Sequence, residues 1–139
     1  MTSRSFLDTN ILVYADDHDA PDKQAIAQRL LEEGRLSGNA VLSTQVLQEY
    51  FVTVTRKLGV PAEVARRKVT IYSRYHLCLI QAEDILAAID LHRLHQYALW
   101  DALILRCALQ THCRVLYTED LQHRSKVEGL LVLNPFAPR

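Results

Sequence analysis

Short, unbroken apolar runs separated by helical stretches constrain this chain more than any other feature. Residues 5–8, 40–43, 77–80, 114–117 and 130–133 each read as a brief strand. Their apolar character is largely continuous rather than alternating, as expected of strands covered on both faces. Helical spacing is predicted over residues 10–15, 21–34, 44–57, 61–75, 82–95 and 100–112. Pro21 and Pro61 suit first helical turns, Thr44 is a candidate cap, and Gly34 and Gly59 are candidate stops. The expected architecture is α/β: a five-stranded parallel sheet in a three-layer α/β/α sandwich.

At 139 residues, 49% of them hydrophobic, the chain is expected to form one domain over residues 1–139. A fold of this size removes roughly two-thirds of its unfolded surface from water, so no disulfide or metal staple is required. The longest apolar runs, 11–15 and 85–89, are far below the roughly 20 residues that span a bilayer. The first residues lack the apolar core of a secretory signal. Cys78, Cys107 and Cys113 cannot all pair within one chain. Together these point to a cytoplasmic protein. Sixteen basic and sixteen acidic residues balance, but they are segregated. Residues 8–22 hold five acids and no Lys or Arg, whereas residues 56–76 hold six bases against Glu63. Arg66, Arg67 and Lys68 are candidates for guiding a polyanion, the alternative being an ordinary solvated helix face.

In a parallel α/β sheet, ligands bind beyond the carboxyl ends of the strands, where strand order reverses. Acids occupy that edge repeatedly. Asp8 ends the first predicted strand, Asp120 follows the fourth, Asp101 opens a helix, and Glu49 lies in the helix after the second strand. Singly, Asp8 and Asp101 read as helix caps, Asp120 as a turn residue and Glu49 as a solvated side chain. Together, four converging carboxylates would protonate or separate unless a cation neutralised them, and Mg2+ or Mn2+ suits such hard oxygen donors. Other chemistries find little support. His92 and His95 share a helix without a recognisable zinc spacing, and no glycine-rich phosphate loop or Ser or Cys nucleophile motif occurs. A haloacid-dehalogenase-like reading needs an acid where Asn10 stands.

The segments Leu7-Asp8-Thr9-Asn10-Ile11-Leu12-Val13-Tyr14, Ser43 to Glu49, Trp100-Asp101-Ala102-Leu103-Ile104, Leu116-Tyr117-Thr118-Glu119-Asp120-Leu121 and Asn134-Pro135-Phe136 resemble the PIN-domain ribonucleases. The nearest resemblance is to the VapC-like toxins of bacterial toxin-antitoxin pairs, and it covers nearly the whole chain. It implies that Asp8, Glu49, Asp101 and Asp120 form an acidic quartet holding Mg2+ or Mn2+, with Asn10 and Thr118 as supporting residues and Glu119 at the rim. It also implies hydrolysis of RNA to 5′-phosphate and 3′-hydroxyl ends, an antitoxin partner and a homodimer. The chain departs from the resemblance at Ala98, where related sequences often carry Ser, with a consequence for hydrogen bonding around the site. The competing expectations are a non-catalytic acidic interaction module and a PIN nuclease outside toxin-antitoxin control, including one that acts on DNA.

Overall fold

A computed structural model describes residues 3–138. Among them the chain forms β1 (Ser5–Leu7), α1 (Thr9–Tyr14), α2 (Pro21–Ser37), β2 (Ala40–Ser43), α3 (Thr44–Lys57) and α4 (Ala62–Tyr72). These are followed by β3 (His76–Cys78), α5 (Ala82–His95), α6 (Leu99–Gln110), β4 (Val115–Tyr117), β5 (Lys126–Val127) and β6 (Leu130–Leu133).

The strands make one sheet in the order β3-β2-β1-β4-β6-β5, parallel throughout except between β5 and β6. From β1 the chain steps outward to β2 and β3, then returns to lay β4 on the other side of β1. Right-handed crossovers therefore place α1 to α4 on one face and α5 and α6 on the other. The packing agrees, since α1 contacts α2 and α3, α3 contacts α4, and α5 contacts α6. With both faces covered, residues of either parity are buried in β1 and β2, Phe6 and Leu7, Val41 and Leu42, whereas in β4 and β6 the fully buried residues alternate, Leu116 in the one and Leu130 and Val132 in the other. Each large side chain so buried contributes about 1.5–3 kcal/mol. The three-layer α/β fold is as expected.

The sheet has a sixth strand that the sequence reading lacked. Glu128 and Gly129, both with positive φ, form a two-residue turn that pairs Val127 with Leu130 and adds a short antiparallel edge. Gly34 is not a helix stop. A Cβ there would stand 2.3 Å from the Cβ of Ala40, so glycine lets α2 pass close to the start of β2. The helix continues to Ser37, and Gly38, at φ 72°, ends it. Ser43 rather than Thr44 caps α3, its hydroxyl accepting from the Val46 N–H at 3.3 Å. Helix α4 ends at Tyr72, earlier than expected, with a turn before β3.

Candidate active site

The reversal of strand order falls between β1 and β4, and the first residues beyond those two strands meet there. The Asp8 N–H donates to the Tyr117 carbonyl at 3.0 Å. The Asp8 carboxylate caps α1, accepting from the Thr9 N–H at 2.6 Å, and its other oxygen accepts from the Thr118 hydroxyl at 2.7 Å. With only 5% of its surface exposed, Asp8 is pushed up to about 7. Burial is the chief cause and the nearby charges of Asp120 and Glu49 add to it, against the Thr118 and Thr9 hydrogen bonds.

The other three acids arrive from separate elements. Glu49, on α3, accepts from the Thr9 hydroxyl at 2.7 Å and from the Gln45 side-chain amide at 3.5 Å. Asp120, after β4, accepts from the Asn10 amide at 3.2 Å, while its own N–H donates to Thr118 Oγ1 at 3.0 Å. Thr118, fully buried, thus links Asp8 to Asp120. Asp101 stands in the first turn of α6. Its carboxyl is raised by burial and then by the fields of Asp120 and Glu49. The structure therefore brings Asp8, Glu49, Asp101 and Asp120 within electrostatic reach, with Asn10 and Thr118 bonded to them.

None of the four forms an ion pair among the described residues. The hydrogen-bond donors of Asp8, Glu49 and Asp120 are neutral, so these three carboxylates are oriented without being neutralised. Thr9, Asn10, Glu49 and Asp120 open onto a cleft of about 630 Å³ that runs between α1 and α3 to Lys57. Among the described residues no three His, Cys, Asp or Glu side chains are close enough to enclose an ion by themselves. The donor set nevertheless suits Mg2+, which keeps several waters and takes only one or two carboxylates directly. Asn10 Oδ1 and Gln45 Oε1, both buried, have no partner among the described residues, which adds two oxygen acceptors beside the acids.

Other candidates are placed differently. Glu119 faces away from the cluster. It accepts from the Tyr14 hydroxyl at 2.7 Å and from Lys23 at 2.6 Å, and these partners hold it below its usual range although burial opposes them. The basic triplet on α4 divides: Arg66 and Arg67 are exposed, but Lys68 is paired with Asp16, which also accepts from the Tyr50 hydroxyl. Thr9 and Gln45 were not singled out in the sequence. Gln45 stands one helical turn before Glu49, a spacing that could have flagged it.

A PIN domain family model matches residues 5–128, and the chain belongs to the PIN domain family. Its fold is that of VapC toxins of known structure. The Mycobacterium tuberculosis toxin VapC20, described as cleaving the sarcin-ricin loop, aligns with a TM-score of 0.70 at 21% identity, over 84% of this chain and 89% of that one. A toxin-antitoxin complex from Klebsiella pneumoniae aligns at 0.68 and 20% identity, over 95% and 98% of the two chains. VapBC2 from Rickettsia felis, bound to a promoter DNA fragment, aligns at 0.65 and 24% identity, over 92% and 96%. No curated protein matches the chain significantly. Among the described residues, no helix is long and apolar enough to cross a membrane.

Proposed function

We propose that this chain, as one PIN domain over residues 1–139, is a metal-dependent endoribonuclease and the toxin of a toxin-antitoxin pair. The observation that carries the reading is the convergence of four acids from four elements, within electrostatic reach of one another and unpaired with any base among the described residues, where strand order reverses. Asp8, Glu49, Asp101 and Asp120 hold one or more Mg2+ or Mn2+ ions. When bound, such an ion activates water, polarises the scissile phosphate and neutralises the charge that develops in the transition state. Thr9, Asn10 and Thr118 fix the carboxylate orientations through the hydrogen bonds described above. Asp101 or Asp120 accepts the proton of the attacking water. Arg66 and Arg67 guide the RNA backbone, a contribution to affinity and salt dependence.

The partner is an antitoxin. An apolar groove of about 370 Å³ lined by Leu47, Phe51, Val52 and Val69, next to the acid cleft, offers it a docking surface. The helices after Pro21 and Thr44 supply surface for a homodimer or for the antitoxin, and the protein works in the cytoplasm. This reading is supported by the structural neighbours, one a VapC toxin, one a toxin-antitoxin complex and one VapBC2 on its promoter DNA.

The test is incubation of the purified protein with total RNA and, separately, single-stranded DNA, in Mg2+, in Mn2+ and in chelator. RNA products that require the metal and vanish in Asp120→Asn are expected. Cleavage of DNA alone would redirect the substrate, and no metal-dependent product on either would favour the acidic interaction module.

A further inference from the structure

We propose that Gln45 is a positioning residue for the carboxylate cluster: its side-chain amide ties the start of α6, and with it Asp101, to Glu49, so that the two acids meet a divalent cation already spaced. The inference rests on the proposed role of the acids in holding that cation.

Gln45 lies in the first turn of α3 and is only 5% exposed. A primary amide so deeply placed is costly unless its groups find partners. Its Nε2 donates to the Trp100 carbonyl at 3.1 Å and to Glu49 Oε2 at 3.5 Å. The reversed amide would set an oxygen against a carbonyl and a carboxylate, so these partners determine its orientation. Trp100 is the residue before Asp101, and one amide group therefore touches Glu49 and the turn that carries Asp101. Glu49 is consequently fixed at both oxygens, one by Thr9 and the other by Gln45.

Helix α6 needs such a tie. Its N-cap is Ala98, with φ −56° and ψ 146°, and among the described residues no side chain caps the helix. A Ser there would accept from the first-turn N–H groups and steady the turn. Without it, the first turn of α6 is held across to α3 by Gln45. The amide leaves its Oε1 unpartnered among the described residues, so the residue retains an acceptor for a water or ligand donor beside the acids. Neutral, buried groups that orient ligating carboxylates usually affect metal affinity more than their own packing suggests.

The experiment titrates Mn2+ into the full-length chain by calorimetry, for wild type, Gln45→Met and Gln45→Asn. The Met variant keeps the length without the amide, and the Asn variant keeps the amide but falls one methylene short of bridging. Trp100 is the single tryptophan and is 63% exposed, so its fluorescence reports the start of α6 in the same samples. Both variants are expected to weaken Mn2+ binding roughly tenfold and to change the Trp100 signal of the bound state. Adding Ala98→Ser to Gln45→Met is expected to recover at least part of the loss. A lowered melting temperature in chelator with an unchanged Mn2+ constant, in either folded variant, would mean that Gln45 only packs and would overturn the inference. Wild type that binds no Mn2+ would overturn both this inference and the proposed role of the acids. Wild type that binds, with variants that match it, would overturn this inference alone.

Discussion

The buried carboxyl of Asp8 makes a quantitative demand on stability. In the folded chain it holds its proton up to about pH 7, whereas its ordinary value is 3.8. Between those values the native state carries a proton that the unfolded chain has released, so stability falls as pH rises. Below the unfolded value the cost is absent, and above about 7 it is complete. Three pKa units correspond to roughly 4 kcal/mol, of which about 2.5 kcal/mol develops between pH 5 and pH 8. With an unfolding entropy of about 2.1 cal/mol/K per residue, a chain of 139 residues converts this into roughly 9 °C of melting temperature. Asp8→Asn removes the ionisation but keeps an acceptor for the Thr9 N–H, and the Thr118 hydroxyl can rotate to accept from the new amide. In chelator, therefore, Asp8→Asn should gain on wild type by that amount as pH is raised from 5 to 8. Saturating Mg2+ should restore wild type at pH 8 and leave the variant unmoved. Thermal melting by circular dichroism at several pH values measures both effects. Curves for wild type and Asp8→Asn that run parallel across this range would refute the burial and charge-crowding argument.

Neighbouring acids should behave differently in cleavage assays: Asp120→Asn should lower the turnover number at least a hundredfold, whereas Glu119→Gln, which disturbs only the tie to Tyr14 and Lys23, should leave it within a few-fold. Lys68→Met leaves Asp16, whose side chain is 5% exposed, without its cation, and should cost about 2 kcal/mol in urea denaturation. By contrast, Arg66→Ala and Arg67→Ala should leave stability unchanged and reduce the salt slope of RNA binding by about 0.7 for each phosphate that is no longer neutralised. Gly34→Ala should destabilise by about 1–3 kcal/mol in the same denaturation assay despite its better helix propensity, because the new methyl meets the backbone-anchored Cβ of Ala40.

The sheet was legible because its strands sit between two helical layers and advertise burial on both faces. Helix α5 matches the predicted residues 82–95. The turn at Glu128 and Gly129 was not legible: β5 has only two residues, too few for any periodicity, and its turn opens on Glu where Asn or Asp would have signalled the positive φ. Gly34 misled for a related reason. Local propensity reads glycine as an end, whereas here its missing side chain serves a contact with Ala40, a residue beyond the helix. In the site, positions beyond strand ends pointed to Asp8 and Asp120. Gln45 was hidden because its second partner is the backbone of Trp100, 55 positions away, and a backbone partner leaves no trace in residue type.

The charge arrangement separates the two kinds of acid in this fold. Asp16, Asp84 and Glu119 are each paired with a base, Lys68, Arg106 and Lys23 respectively, so their charges are compensated within the chain. Asp8 and Asp101 are also withdrawn from water, yet their charged neighbours are further carboxylates, Asp120 and Glu49. A fold selected for stability alone would gain by substituting apolar or neutral groups at such positions, since an uncompensated buried charge is among the costliest features a core can hold. The same chain supplies neutral donors, Thr9, Asn10, Gln45 and Thr118, that orient Asp8, Glu49 and Asp120 and bring no positive charge. Orientation without neutralisation makes sense when the missing positive charge comes from a ligand, and it links the instability expected of metal-free Asp8 at high pH to the chemistry proposed for the cleft.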